Sequence, residues 1–288
     1  MRLIIISGRS GSGKSSALNL LEDEGYYCID NLPVALIPDL VTHLKQGGHP
    51  SGDKVALCID ARNSSSDLSA LTLMIEGDHP GVSIEVIYLD ADNDKLIKRF
   101  SETRRRHPLS NKDTGLAEAI SREQKLLEPI ASIATLTIDS SDMSLHDLRD
   151  TIKSRLVDKK GSSISIQFQS FGFKHRIPND ADLVYDIRIL PNPHWDPALR
   201  ILTGLDQPVI DFLNTQPQVD SMYEDIRSYL EKWLPAYQDS NRSYITIAIG
   251  CTGGQHRSVY MAERLAHYFA DHFDNVQVRH REMPKQAS

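Results

Sequence analysis

The sequence predicts an α/β protein of two domains, and three observations predict it. In the first half, short apolar runs that end in aspartate alternate with stretches of helical periodicity, the pattern that builds a parallel sheet. A charged, small-residue run, "DKKGSS" from Asp158 to Ser163, then divides the 288 residues into 1–157 and 164–288, each long enough for its own core. Each half also holds a glycine-rich segment placed between an apolar run and a helical one: "GRSGSGKS", Gly8 to Ser15, and "GCTGGQHRS", Gly250 to Ser258.

The elements follow in order. Leu3 to Ser7 is a short buried strand. Lys14 to Glu24 places Ala17, Leu18 and Leu21 at helical spacing, and Gly25 stops the helix. Tyr26 to Ile29 reads as strand, broken by Asn31-Leu32-Pro33. Lys54 to Ile59 and Ile84 to Leu89 are further apolar runs ending at Asp60 and Asp90, and Leu136 to Ile138 ends at Asp139. A helix is expected over Ser144 to Leu156. In the second half, strands are expected at Ile164 to Gln169, Leu183 to Ile189 and Tyr244 to Ile249. Helices are expected at Ser221 to Leu234 and at Ser258 to Ala270, the latter with Ala262, Leu265, Ala266 and Phe269 on one face.

Composition narrows the function classes. A hydrophobic fraction of 40% and a charged fraction of 25% are those of a globular chain. The net charge of −7 argues against a general nucleic-acid binder, so any RNA contact must come from a local patch. Cys28, Cys58 and Cys251 form neither a CxxC pair nor a zinc spacing, which favours a reducing compartment. No apolar run is long enough for a signal peptide or a membrane span. A cytoplasmic protein with no membrane partner is the expectation.

The segment Gly8-Arg9-Ser10-Gly11-Ser12-Gly13-Lys14-Ser15 fits G-x-x-x-x-G-K-[ST] at every fixed position, after a strand and before a helix. Glycines let the backbone wrap phosphate oxygens, and the helix N-terminus adds positive potential. Lys14 can reach the β- and γ-phosphates, and Ser15 can ligate Mg²⁺. Asp60 is the candidate for the second magnesium-associated acid, with Asp90 as competitor and helix capping as the alternative for each. Asp30 is either an acceptor-orienting acid or a turn residue. Arg104, Arg105 and Arg106 of "TRRRHPLS" are either a phosphate-neutralising lid or a solvated helix end.

"GCTGGQHRS" has the Cys-x5-Arg spacing of a phosphatase loop. Gly250 stands where such enzymes usually carry histidine, and no general acid is evident. A buried cysteine beside a phosphate-binding loop is the preferred reading, with Arg257 on the anion and His256 helping once it is protonated below about pH 6.5. "LPNPHWDP" supplies His194, Trp195 and Asp196 either to a ligand pocket or to a packed turn. The chain's end carries Arg279, His280, Arg281 and Lys285 against Glu282, a mildly basic tail that Arg242 and Arg257 would extend if they fold nearby.

On "SGRSGSGKSSAL", "YYCIDNLP", "DARN", "LDAD", "TRRRHPLS", "SFGFKHRIP", "LPNPHWDP" and "AIGCTGGQHRSVY", the sequence resembles the RapZ family of nucleotide-binding RNase adapter proteins, called YvcJ in Gram-positive bacteria. The resemblance runs through almost the whole chain. It implies a P-loop kinase-like N-terminal domain that binds ATP and GTP through Gly8 to Ser15 and through Asp60, Ala61, Arg62 and Asn63. It implies a C-terminal α/β domain that binds RNA and senses an amino-sugar phosphate, glucosamine 6-phosphate, through His194, Thr252, Gly253, His256 and Arg257. The implied RNA contacts are Arg257, Arg279, Arg281 and Lys285. The family's partners would be a small regulatory RNA and the endonuclease RNase E, with control of glucosamine-6-phosphate synthase as the outcome, and a homo-oligomer is expected. The thin tail "REMPKQAS" departs from the denser basic ending of enterobacterial members. Two other readings compete: a small-molecule kinase or weak NTPase, and a cysteine phosphatase.

Overall fold

Strand β1 (Arg2–Gly8) founds the first sheet because Leu3, Ile4, Ile5 and Ile6 are all fully buried. Burial of each such side chain contributes about 1.5–3 kcal/mol, and only a strand covered on both faces can bury four in succession. In this computed structural model, residues 1–45, 53–63, 79–103, 105–158, 163–240 and 242–283 are described, together with 68, 71, 72, 74, 75 and 77. The contacts divide the chain into two units, Met1–Asp158 and Lys159–Ser288. Residues 159–162 of the expected linker lie outside the described residues.

The first unit joins β1 to β2 (Tyr27–Ile29), β3 (Lys54–Cys58), β4 (Ser83–Asp90) and β5 (Leu136–Asp139) in the order β2-β3-β1-β4-β5. Every pairing is parallel, with Ile6 opposite Cys58 and Gly8 opposite Leu89. This register brings the carboxyl ends of β3, β1 and β4 together, where ligands bind in open parallel sheets. Helices α1 (Lys14–Asp23), α2 (Ile37–Lys45), α3 (Asn93–Thr103), α4 (Leu116–Ser132) and α5 (Leu145–Ile152) belong to the same unit. Helix α5 starts at a capping box. Ser144 Oγ accepts from the Asp147 N–H, and Asp147 accepts from the Ser144 N–H.

The second unit is a parallel sheet in the order β7-β8-β6-β9, built from β6 (Ser165–Gly172), β7 (Leu183–Asp186), β8 (Tyr244–Cys251) and β9 (Asn275–His280). Helices α6 (Gln207–Asn214), α7 (Pro217–Asp239) and α8 (Arg257–Ala270) accompany it. Strands β6 and β8 are buried along their whole length. The buried Gln167 of β6 donates its Nε2 to Oε1 of the buried Gln169 at 3.0 Å.

The α/β class with parallel sheets is the one predicted; four local expectations change, the first being the helix expected over Ser144 to Leu156, which is α-helical only over Leu145–Ile152 and continues as a π-turn, Lys153–Val157. Strand β7 ends at Asp186 rather than Ile189, because the Asp186 carboxylate accepts the Arg188 N–H at 3.0 Å and turns the chain. Helix α7 runs past Leu234 through Pro235 to Asp239. The expected tail begins as a strand: Arg279 and His280 belong to β9, paired with β6, and the Arg281 N–H continues onto Ser170 O at 3.2 Å.

Candidate functional site

The sheet dictates how the first loop leaves β1. A Cβ on Gly8, at φ 139°, would lie 2.0 Å from the Leu89 carbonyl oxygen, so only glycine fits. Gly13, at φ 109°, closes the loop where a Cβ would lie 2.3 Å from Leu148 Cδ2. Lys14 then opens α1 and folds back, its Nζ donating to Gly8 O at 2.7 Å and Arg9 O at 3.1 Å. The ammonium is therefore held against the loop's own carbonyls. Ser15 is exposed on the first turn of α1.

The other loop side chains face different tasks. Arg9 is buried and donates to Asp90 Oδ1 at 3.4 Å, to Ala91 O at 3.1 Å and to Asn93 Oδ1, so its guanidinium braces β4. Ser10 gives both its N–H and its hydroxyl to Glu123. Ser12 Oγ is buried and has no hydrogen-bond partner among the described residues.

The acids at the strand ends separate by environment. Asp60 accepts from the Arg62 N–H at 2.9 Å and from Arg62 Nε at 2.8 Å. Burial pushes its pKa up, yet the bonds and charge of Arg62 and the charge of Lys14 outweigh this and hold it below the usual range. Burial raises Asp90, against the bonds from Ala91 and Arg9. Asp60 thus carries a firm charge within the field of Lys14, whereas Asp90 fixes Arg9. Asp30 belongs to the same neighbourhood. The Cys58 thiol is pushed up to about 12, first by burial and then by the charge and bond of Asp30, against Lys14.

In "DARN", Ala61 is buried and Asn63 locks the turn, donating to Asp60 O at 3.3 Å and accepting from the Val34 N–H at 3.2 Å. Arg62 is more than half exposed. The donor set suits Mg²⁺ as it binds with nucleotides, through one or two protein oxygens plus phosphate and water: the exposed Ser15 hydroxyl and the ionised Asp60 are oxygen donors of that kind. Arg105 and Arg106 are exposed; Arg104 lies outside the described residues.

The second loop follows β8 in the same strand–loop–helix arrangement. Arg257, the first residue of α8, is buried, and its Nη1 donates to Arg188 O and Leu190 O, each at 2.8 Å. Its Nη2 donates to Thr252 Oγ1 at 3.3 Å, and its Nε has no hydrogen-bond partner among the described residues. The exposed His194 lies edge-on to His256, with ring centroids 6.2 Å apart. Trp195 is exposed beside it. His194, Thr252, His256 and Arg257 therefore gather around one loop. A Cβ on Gly253 would lie 4.0 Å from Lys174 Nζ, which adds a basic group that sequence reasoning missed. Its only sequence signal is the polar "FKHR" that follows an apolar strand.

Cys251 is only 3% exposed and belongs to the core. Its Sγ accepts the Gly254 N–H at 3.2 Å and lies 3.1 Å from Ser258 Oγ, so its visible work is to shape the loop. Cys251→Ser should keep both contacts and cost about 1 kcal/mol. Thermal melting checks this, and collapse of the second unit would contradict it.

His256 accounts for one pH effect. Burial first, and then the charge of His194, pull its pKa below the ordinary value, against the carbonyls of Leu199, Leu202 and Arg200. Its protonation thus falls below about pH 6.5 rather than near it. A histidine whose folded pKa is depressed stabilises the fold fully above its unfolded pKa. That stabilisation is lost as pH falls from about 6.5 through the lower folded value. His256→Gln should therefore flatten the fall in melting temperature below pH 6.5. An unchanged pH profile would contradict the assignment.

At the chain's end, Arg279 approaches Asp180 at 3.9 Å. The run Ser170–His280–Glu263, with bonds of 2.9 Å each, resembles a hydrolase triad. Ser170 is fully buried, so the run ties β6, β9 and α8 together and presents no nucleophile. Lys285 lies outside the described residues.

No helix among the described residues is long and apolar enough to cross a membrane. Compared with known proteins, the chain is 54% identical over 284 residues to a nucleotide-binding protein of Saccharophagus degradans, covering 98% of each. It is 53% identical to one of Hahella chejuensis, covering 98% of this chain and 99% of that one. Among solved structures, the shikimate kinase from Acinetobacter baumannii in complex with shikimate matches 55% of this chain and 95% of its own, with 16% identity and a TM-score of 0.34. The RapZ-like N-terminal domain matches residues 1–160 and the RapZ C-terminal domain residues 164–284, and with both domains in sequence the chain belongs to the RapZ family.

Proposed function

We propose that this protein is a nucleotide-binding regulatory adapter. Its first loop binds ATP or GTP with Mg²⁺, held by the Gly8–Ser15 backbone, Lys14, Ser15 and Asp60. Its second loop binds an amino-sugar phosphate, glucosamine 6-phosphate, through Thr252, Gly253, His256, Arg257 and His194. The same unit binds a small regulatory RNA, with Arg257, Arg279, Arg281 and Lys285 as contacts, and presents it to RNase E, which sets the level of glucosamine-6-phosphate synthase. The active form is a homo-oligomer in the cytoplasm.

One observation carries this reading. Each unit ends a fully or nearly fully buried strand in a glycine-rich loop and opens the next helix with a basic side chain, Lys14 or Arg257. Backbone N–H groups plus one cation form an anion site that needs no nucleophile. The nucleotide-binding names of relatives at 53–54% identity support the first half. The buried Cys251 argues against phosphatase chemistry in the second.

The test is purification of the tagged chain from cells, followed by sequencing of the RNA that accompanies it. Enrichment of one or a few structured small RNAs is expected. A chain that carries no RNA above background, yet transfers phosphate from ATP to a sugar or nucleoside, would replace the adapter with a kinase.

A further inference from the structure

A carboxylate lies directly behind the first loop. Glu123 of α4 accepts three donors: the Ser10 N–H at 2.9 Å, the Ser10 hydroxyl at 2.7 Å and His107 Nε2 at 3.0 Å. The side chains of Glu123 and His107 are both fully buried. The direction of the last bond follows from geometry. His107 Nδ1 accepts the Leu109 N–H at 3.1 Å, so the ring hydrogen sits on Nε2 and is donated to Glu123. Burial pushes the Glu123 pKa up, but the bonds from His107 and Ser10 and the charge of Lys14 outweigh it and keep the group ionised.

A negative charge under a phosphate-binding loop opposes the ligand, so its use must lie elsewhere. It fixes Ser10 by both of its donors at once, which sets the direction in which the following residues, Gly11 to Ser15, leave that point. On its other side, His107 is the hub of a tight turn, with Ser110 donating its N–H at 3.0 Å and its hydroxyl at 2.8 Å to His107 O. The His107 ring packs on Phe100 of α3 at 5.1 Å between centroids. Arg105 and Arg106 immediately precede this hub.

We propose that Glu123 and His107 are positioning residues that clasp the first loop and tie it to the segment Arg105–Ser110, so that a nucleotide on the loop and order in that segment are coupled. This rests on the nucleotide reading of the first loop. Neither Arg105 nor Arg106 needs to touch the loop's backbone for the coupling to operate. The path runs from Ser10 through one carboxylate and one imidazole to the peptide that bears them.

Two variants test it in the full-length chain. Glu123→Ala removes the one group that accepts from the Ser10 N–H, the Ser10 hydroxyl and His107 Nε2 together. Its affinity for Mg-ATP, measured by calorimetry, should fall about tenfold. His107→Ala keeps the Ser10–Glu123 bonds and should lower affinity less. The decisive readout is hydrogen exchange in a peptide covering residues 105–110. In the wild type, saturating Mg-ATP should slow it; in both variants, saturating Mg-ATP should leave it unchanged. If either variant fails to fold by circular dichroism, the other decides. Exchange that responds to nucleotide in the folded variants as in the wild type overturns the proposal while leaving the nucleotide reading intact. A wild type that binds neither ATP nor GTP overturns the reading and the proposal together.

Discussion

Lys14→Ala is expected to reduce ATP and GTP affinity by about a hundredfold, the equivalent of roughly 2–3 kcal/mol for a lost charge-assisted contact. The side chain already lies on the loop, bonded to the carbonyls of Gly8 and Arg9. A phosphate group entering there would exchange two neutral acceptors for an anionic one. The fold should survive, because Lys14 is only partly buried and its bonds are to groups within the same loop. Calorimetric titration on the purified variant measures the loss, and circular dichroism confirms the fold. An affinity within threefold of wild type would show that Lys14 does not face the nucleotide.

Arg257→Ala is expected to act on stability as well as on binding. Removing the guanidinium takes the donor from Arg188 O and Leu190 O, and it frees Thr252 Oγ1. Partly buried carbonyls left without a donor cost about 1–3 kcal/mol each, so a loss of about 3 kcal/mol is expected, with a melting temperature lower by roughly 10 °C. Loss of sugar-phosphate binding should accompany it. Arg257→Lys should recover little of either, because an ammonium cannot span two carbonyls and a hydroxyl as a planar fork does. A stable Arg257→Ala variant with unchanged melting would mean that the carbonyls find other donors.

The first loop was legible because all its determinants are contiguous in sequence: strand, glycines, lysine and helix follow one another within Leu3 to Glu24. The second loop was legible for the same reason. What failed to show is what the fold brings from afar. Glu123 is 113 residues from Ser10 in sequence, and nothing in "AISREQKLLEP" distinguishes it from a solvated helix acid. Lys174 is likewise distant in sequence from Gly253. Strand β9 escaped because Asn275, Gln277, Arg279 and His280 leave only Val276 and Val278 as apolar residues, while its pairing with β6 is decided by backbone register. Arg9 and Arg257 each stand in a phosphate-type loop in sequence, and the fold sets both on backbone carbonyls, Arg257 keeping its Nη2 on Thr252 of the loop. That placement depends on where β4 and β7 end. Sequence places Asp60 ahead of Asp90 as the magnesium-associated acid, but each closes an apolar strand; the physical distinction rests on Arg62 and Lys14 beside one and Arg9 beside the other.

Two anion loops that act as separate binding sites without covalent chemistry should lose their ligands independently. The most direct measurement is a set of calorimetric titrations in which Mg-ATP and glucosamine 6-phosphate are each added to the wild type, Lys14→Ala and Arg257→Ala. Both ligands are expected to bind the wild type, with Lys14→Ala losing nucleotide alone and Arg257→Ala losing the sugar phosphate alone. Loss of both ligands in either variant, or of neither, would contradict that expectation.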